Sequence, residues 1–414
     1  RHEPSYSPQS SAADRKARMS KVTLKDCKKY TWAEFDALPL AEKNVLFEGD
    51  VGDIFHTLNA EQFDRVTLDR IYILTNIIRS ISKTKNGATY LSNRMRHKRA
   101  MLYFAQASTR TYLSFKTACD IVGVKCTDVR DTSTSSEVKG ETFSDTIRTF
   151  SSYFDFIIMR HKEESNAEHA AWVLNCSDRP VPVLNAGSGK DQHPTQALLD
   201  IYTLRRSFEK SGGVEGKTIL FAGDLNRGRT CRSLSKLLAL FEGVKLIFSA
   251  PPGFNMRDDV LNYLKERNVN YVVTEEFLSH LPVADAVYMT RVQDEHDAGD
   301  GTSSKRSYDE FSLKFEHLEL LKPNCAILHP LPRRDELDAK IDDDPRAKYW
   351  RQERNGMWTR AALLAITGGV EPQIQEYWRD LSLQASHTGI IQVPLKGEDG
   401  FKPLQRTMTG DPLR

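Results

Sequence analysis

Hydrophobic positions along the chain switch repeatedly between two periods, and each switch predicts a strand running into a helix. Met101–Ala105 is a short unbroken apolar run of strand character. Beyond Ser108, Thr109, Arg110 and Thr111, the apolar residues Leu113, Ala118, Ile121 and Val122 follow helical spacing up to a stop at Gly123. Upstream, Leu68, Ile71, Tyr72, Leu74, Ile77, Ile78 and Ile81 trace one face of a helix that begins near Asp64. Downstream come a short strand with Cys126 and Val129, the polar loop 131–142, and a helix with Phe143, Ile147 and Phe150 inward. Apolar strands at 154–161, ending on Arg160, and at 180–189 follow, then a helix starting near His193.

The Gly-rich stretch 211–216 is a clear break, and a second alternating set begins there. Strands are predicted at 217–224, 244–252, 271–273, 285–293 and 325–333, with helices at 229–241 and 257–267 and a last helix over Arg354–Ile366. Alternation of this kind predicts an α/β fold with parallel sheets, in which functional loops sit at strand C-terminal ends. The stretch 297–306, rich in Gly, Ser and charge, reads as a mobile insertion, and 385–414 as a tail with little periodicity.

Composition narrows the class without naming it. A net charge of +2 gives no global pull toward nucleic acid or a membrane, so any anion binding must come from local clusters. No apolar run approaches the ~18 residues needed to cross a bilayer. Six scattered cysteines without a C-x-x-C pair fit reduced thiols in a cytoplasmic compartment, not a disulfide framework or a zinc site. The first 20 residues are basic and polar with no apolar core, unlike a secretory signal, and leave a processed organellar leader open.

The candidate chemistry gathers at the strand ends. Ser108–Thr111 would place three hydroxyls and a guanidinium at a helix N-terminus, a ready anion site. Alone, the same turn reads equally well as a capped helix start with a surface arginine. His193 and Gln196 stand three apart at a helix start, on one face, so both could donate to a single carbonyl oxygen. A capped start with Pro194 in the first position explains that spacing as well. Arg291 and Gln293 alternate on a strand end, an arrangement suited to a carboxylate. Arg160, ending an apolar strand, calls for an acidic partner or ligand. The turn His329-Pro-Leu-Pro-Arg333 exposes backbone carbonyls and is compatible with a cis bond before Pro332. Gly223 and Gly228 flank a strand-to-helix turn, but the spacing is wrong for a dinucleotide fingerprint and no G-K-[ST] follows.

Taken together, these blocks resemble aspartate carbamoyltransferases over roughly residues 60–370. The resemblance rests on STRT (108–111), KGET (139–142), IIMRH (157–161), VPVLNAGSGKDQHPTQALLD (181–200), GDLNRGRT (223–230), YMTRVQ (288–293) and HPLPRRDE (329–336). Ornithine carbamoyltransferases share the first turn and the HPxQ block, but are expected to carry cysteine where this chain has Pro330 and to lack the R-x-Q strand end. The resemblance implies two doubly wound parallel-sheet domains joined by helices. A carbamoyl phosphate unit would span 59–205 and an aspartate unit 213–345, with a C-terminal helix at 350–382 returning to the first, an N-terminal extension over 1–58 and a tail over 385–414.

The implied reaction converts carbamoyl phosphate and L-aspartate to N-carbamoyl-L-aspartate and phosphate, the committed step toward pyrimidines. It needs no metal, redox cofactor or covalent nucleophile. Position by position, Ser108, Thr109, Arg110 and Thr111 would cradle the phosphate, with Arg160 adding a second guanidinium. His193 and Gln196 would address the carbamoyl group, with Arg110 and Thr111 also reaching its oxygen, and the carbonyls around Leu331 and Pro332 would hold its NH2. Arg229, Arg291 and Gln293 would take the aspartate carboxylates. Ser135 and Lys139 would enter from a neighbouring subunit of a homotrimer with shared sites. Where family members often carry an acidic residue that closes the domains, this chain has Gln106, and where an arginine partner is expected it has His296; Val138 replaces a second loop lysine.

Overall fold

The computed structural model describes residues 24–48, 54–130, 140–189, 192–291 and 308–388. Within them the alternating pattern forms two parallel sheets. The first contains β1 (Arg99–Phe104), β2 (Lys125–Val129), β3 (Phe156–His161) and β4 (Val183–Ser188), in the order β2-β1-β3-β4. The second contains β5 (Thr218–Ala222), β6 (Lys245–Ser249), β7 (Asn270–Thr274), β8 (Ala286–Met289) and β9 (Ala326–Leu328), in the order β7-β6-β5-β8-β9. Every pairing is parallel.

Apart from the partly exposed edge strands β2 and β7, both sheets are buried on both faces, as their continuous apolar runs require. In β1, Leu102 and Phe104 face one core while Met101 and Tyr103 face another. In β5, Ile219 and Phe221 join the first of these cores, and Leu220 and Ala222 a third. One core therefore runs continuously from the first sheet to the second, through helices that belong to both units.

Each sheet reverses direction of growth once. From β1 the first sheet grows outward to β2, then resumes on the other side with β3. From β5 the second grows to β6 and β7, then resumes with β8. The crevices at the β1/β3 and β5/β8 ends are the switch points where open α/β sheets bind ligands.

Three local readings change. Leu113 is 52% exposed, and the inner face of the Thr109–Val122 helix is instead Thr111, Ser114, Phe115, Ala118, Cys119 and Val122. That set keeps the three-and-four spacing that Leu113 breaks. The Asn166–Asn175 helix, between β3 and β4, is not singled out by pattern, since half of its apolar residues are alanine and the larger ones, Trp172, Val173 and Leu174, are consecutive and trace no helical period. The helix predicted at Arg354–Ile366 runs over Tyr349–Thr367 and is not the last, because Glu371–Thr388 forms another. Gly369, at φ +71°, makes the break between them. The Tyr349–Thr367 helix packs on the Arg65–Ile81, Thr109–Val122 and Pro194–Phe208 helices, which returns the chain to the first domain. The Glu371–Thr388 helix docks beside it, with Tyr377 stacked on Tyr90 at 3.7 Å and Arg70 paired with Glu371.

Candidate active site

The turn after β1 is tied to the end of β3 by a hydrogen bond from the Gln106 N–H to the Arg160 carbonyl (3.2 Å). Ser108 is the N-cap of the Thr109–Val122 helix, yet its side chain makes no capping hydrogen bond. The first-turn N–H groups therefore keep their donors for something else. Arg160 is buried, donates from Nη1 to the Ala186 carbonyl (3.1 Å), and leaves Nε without a partner among the described residues. Burial, together with the neighbouring Arg229, Arg110 and Arg360 guanidiniums, pushes its pKa down. Arg110 and Arg229 are lowered too, chiefly by burial. This direction means stored, uncompensated positive charge, which an anion would relieve.

His193 caps the Pro194–Phe208 helix with Pro194 in the first position, as the bland reading allows, but its side chain makes no capping bond. Its backbone N–H donates to Ser233 Oγ (3.1 Å), which fixes the residue across the domain boundary. Its imidazole is almost fully buried, and Nδ1 has no partner among the described residues. Burial, then Arg229, Arg160 and Arg360, hold its pKa well below the usual histidine range. It is a neutral ring that can donate one N–H, and not an imidazolium.

Gln196 behaves differently from the sequence expectation. Its Nε2 donates to Asp200 Oδ1 (2.9 Å), so the side chain that lines the cleft offers Oε1 as an acceptor. That oxygen is suited to an NH2 group.

The second domain completes the walls. Arg229 opens the helix after β5, donates to the Gly189 carbonyl, and reaches Gln106 Oε1 at 3.4 Å. The neutral Gln106 thus meets the guanidinium across the domain gap, while His296 lies outside the described residues. Gly223, at φ +110°, lets β5 end against Thr290, where an added Cβ would sit 2.1 Å from the Thr290 carbonyl oxygen. Arg291 follows directly. The His329–Arg333 turn is held on three sides. Its Leu331 N–H donates to His329 Nδ1 (2.7 Å), His329 Nε2 lies 2.8 Å from Glu336, and the His329 N–H donates to Gln352 Oε1 (2.9 Å). The Leu331–Pro332 bond is cis and Leu331 stands at φ +52°.

Eleven of the sequence-derived residues line one cleft of about 450 Å³: Ser108, Thr109, Arg110, Thr111, Arg160, His193, Gln196, Arg229, Arg291, Leu331 and Pro332. Ser135, Lys139 and Gln293 lie outside the described residues. A separate open groove around Asn226 and Met256 contains none of them. The sequence reading missed three residues behind or in the cleft. Glu353 is the one acid among the described lining residues. Arg360 is buried and donates to Ser114 Oγ (2.6 Å), and Asp200 is wholly buried. The available signal was charge inside apolar helical runs, as at Arg360 before Ala361–Ile366, since such charges are seldom buried without partners.

Two parallel sheets whose switch points face a single guanidinium-rich cleft define a two-domain fold for anionic ligands. The family model described as "Aspartate/ornithine carbamoyltransferase, carbamoyl-P binding domain" matches residues 56–206, and its "Asp/Orn binding domain" counterpart matches 215–367. The chain belongs to the aspartate/ornithine carbamoyltransferase family. It is 37% identical over 334 residues, covering 80% of this chain and 83% of the relative, to aspartate carbamoyltransferase 1, chloroplastic, of Pisum sativum. It is 41% identical over 266 residues, 64% of this chain and 82% of the relative, to the catalytic subunit of Aliivibrio fischeri aspartate carbamoyltransferase. The solved Trypanosoma cruzi aspartate transcarbamoylase with carbamoyl phosphate and aspartate superposes with a TM-score of 0.66 at 33% identity, over 76% of this chain and 95% of that one.

Proposed function

We propose that this chain transfers the carbamoyl group of carbamoyl phosphate to the amine of L-aspartate, releasing N-carbamoyl-L-aspartate and phosphate. The observation that carries this reading is the convergence of eleven family-matched residues on one cleft. Residues 59–205 would bind carbamoyl phosphate and residues 213–345 aspartate. The free N–H groups and hydroxyls of Ser108–Thr111, with Arg110 and Arg160, hold the phosphate. Neutral aspartate amine attacks the carbonyl carbon, the C–N bond forms, and negative charge grows on the carbonyl oxygen. Donors fixed at that oxygen before reaction, from His193, Arg110 and Thr111, stabilise it without reorganising. Gln196 Oε1 and the Leu331 carbonyl hold the NH2. The C–O bond to phosphate then breaks, and the departing phosphate accepts the amine proton. His193, held neutral, acts as a donor and takes no proton.

Arg229 and Arg291, with Gln293, bind the two aspartate carboxylates on this reading. Ornithine, attacking with one neutral amine, would bring its other amine as an ammonium to a wall of arginines, against the single carboxylate of Glu353 among the described lining residues. Product identification with each amino acid decides the matter: aspartate is expected to be carbamoylated, and preference for ornithine would overturn the roles of Arg229 and Arg291.

We place Ser135 and Lys139 in the site of a neighbouring subunit of a homotrimer, supported by the family resemblance of their loop. Lys139→Ala and His193→Ala proteins, each inactive alone, should regain partial activity when mixed under subunit exchange. No recovery after exchange has been verified would count against a shared site. A reducing compartment such as the cytoplasm suits the six free cysteines; the chloroplastic relatives make an organelle the competing location.

A further inference from the structure

Asp200 lies about two turns inside the helix that His193 begins, wholly buried, and is not among the residues that line the cleft. Three donors from three elements converge on its carboxylate. Gln196 Nε2 (2.9 Å) and Gln352 Nε2 (2.7 Å) both reach Oδ1, and the Tyr288 hydroxyl reaches Oδ2 (2.8 Å). Gln352 turns its remaining oxygen to the His329 N–H, the first residue of the His329–Arg333 turn. Tyr288 lies on β8, three residues before Arg291. A single oxygen, Oδ1, therefore orients one amide that lines the cleft and a second that holds the His329 N–H, at the start of a turn that also lines it.

An amide in that position can face the cleft with its oxygen or its nitrogen, and the choice reverses what it recognises. With Asp200 Oδ1 accepting from Nε2, Gln196 shows Oε1. With Gln352 pinned by the same oxygen, the His329 N–H is satisfied and the turn carrying the Leu331 carbonyl is held in place. We propose that Asp200 is a positioning residue that fixes this end of the cleft as a pair of hydrogen-bond acceptors, and so selects an acyl phosphate bearing NH2 over one bearing an apolar group. The inference rests on the carbamoyl phosphate reading and deepens it.

The charge of Asp200 is not what the geometry uses. Burial raises its pKa to about 7, against the bonds from Gln352, Tyr288 and Gln196 and the field of Arg360. A protonated Oδ2 can donate a hydrogen bond to the Tyr288 hydroxyl oxygen, whose O–H can turn away, leaving Oδ1 free to accept from both amides. Asparagine with its oxygen at the Oδ1 position does the same.

The test compares Asp200→Ala and Asp200→Asn with the wild type, using carbamoyl phosphate and acetyl phosphate, which carries CH3 in place of NH2. Asp200→Ala is expected to lose roughly 10- to 100-fold in kcat/KM for carbamoyl phosphate and a similar factor in its preference over acetyl phosphate as a competing ligand, the scale of one misdirected hydrogen bond. Affinity for inorganic phosphate, titrated directly, should stay within about threefold, because the cradle at Ser108–Thr111 is untouched. Asp200→Asn should recover most of the loss. Equal loss of phosphate and carbamoyl phosphate affinity in Asp200→Ala would overturn the proposal, as would an Asp200→Asn protein that discriminates no better than Asp200→Ala. Should Asp200→Ala fail to fold, the Asp200→Asn arm decides alone: lost discrimination with intact phosphate binding overturns it. Failure of the carbamoyl phosphate reading would show separately, as a wild type that transfers no carbamoyl group.

Discussion

Helix starts in this molecule are finished in two ways, and the difference maps onto the cleft. Away from it, Asp64 accepts from the Thr67 N–H (2.8 Å), Thr84 from the Gly87 N–H (3.0 Å) and Thr142 from the Asp145 N–H (3.2 Å). At the cleft, the helices opened by Ser108, His193 and Gly228 have no side-chain cap. Uncapped starts also occur elsewhere, at Ser165 and Arg257, so the lack of a cap does not by itself make a site. What distinguishes the cleft is that three such starts line the same crevice, two of them at the switch points of the two sheets, among buried guanidiniums. A side-chain cap stabilises its own helix by about 1 kcal/mol. Leaving it unmade gives that up and keeps donors for a ligand, the kind of local cost functional sites carry.

The strongest way to break this comparison is to give the cleft helix the cap it lacks. Ser108→Asp places a carboxylate at the N-cap, where it can accept from the first-turn N–H groups and suits the helix dipole. The same carboxylate would stand against the incoming phosphate. Like charges ~4 Å apart at an effective dielectric of ~20 repel by about 4 kcal/mol, so kcat/KM for carbamoyl phosphate should fall roughly a thousandfold. The melting temperature of the unliganded protein should hold or rise. Steady-state kinetics beside a thermal melt separates the two effects, and undiminished carbamoyl phosphate affinity would show that the N-terminus is not where the phosphate sits.

How far these features were legible in the sequence follows from the range of the interactions. The switch from strand to helix at Phe104–Thr109 is a local pattern, and the parallel sheets follow from it because consecutive strands need helical crossovers. Ser108–Thr111, Arg160 and the His329 turn stood out because polar residues ended apolar runs. Leu113 misled because one exposed leucine near a helical period looks like core. Gln196 was read as a candidate donor because spacing tells which face a side chain shares, while its orientation is set by Asp200, four residues on, whose same oxygen accepts from Gln352, 152 positions away in sequence. Arg360 was hidden for a related reason, since its partner Ser114 lies 246 residues away. Long-range pairing of buried polar groups leaves no periodic trace.

The finer test lies at the other kind of helix start. Asp64 caps the Arg65–Ile81 helix, is exposed, and does not line the cleft. That helix supports the Tyr349–Thr367 and Glu371–Thr388 helices from outside. Asp64→Ala removes the acceptor for the Thr67 N–H, which water can partly replace, so the expected loss is about 1 kcal/mol of stability. For a chain this size that is a drop of a few degrees in melting temperature. Neither kcat nor the KM for carbamoyl phosphate should move, because no donor in the cleft depends on this cap. A change in KM beyond about twofold at full folding would mean that the Arg65–Ile81 helix transmits its position to Ser108–Thr111, and capped and uncapped starts would then no longer be separable parts of the molecule.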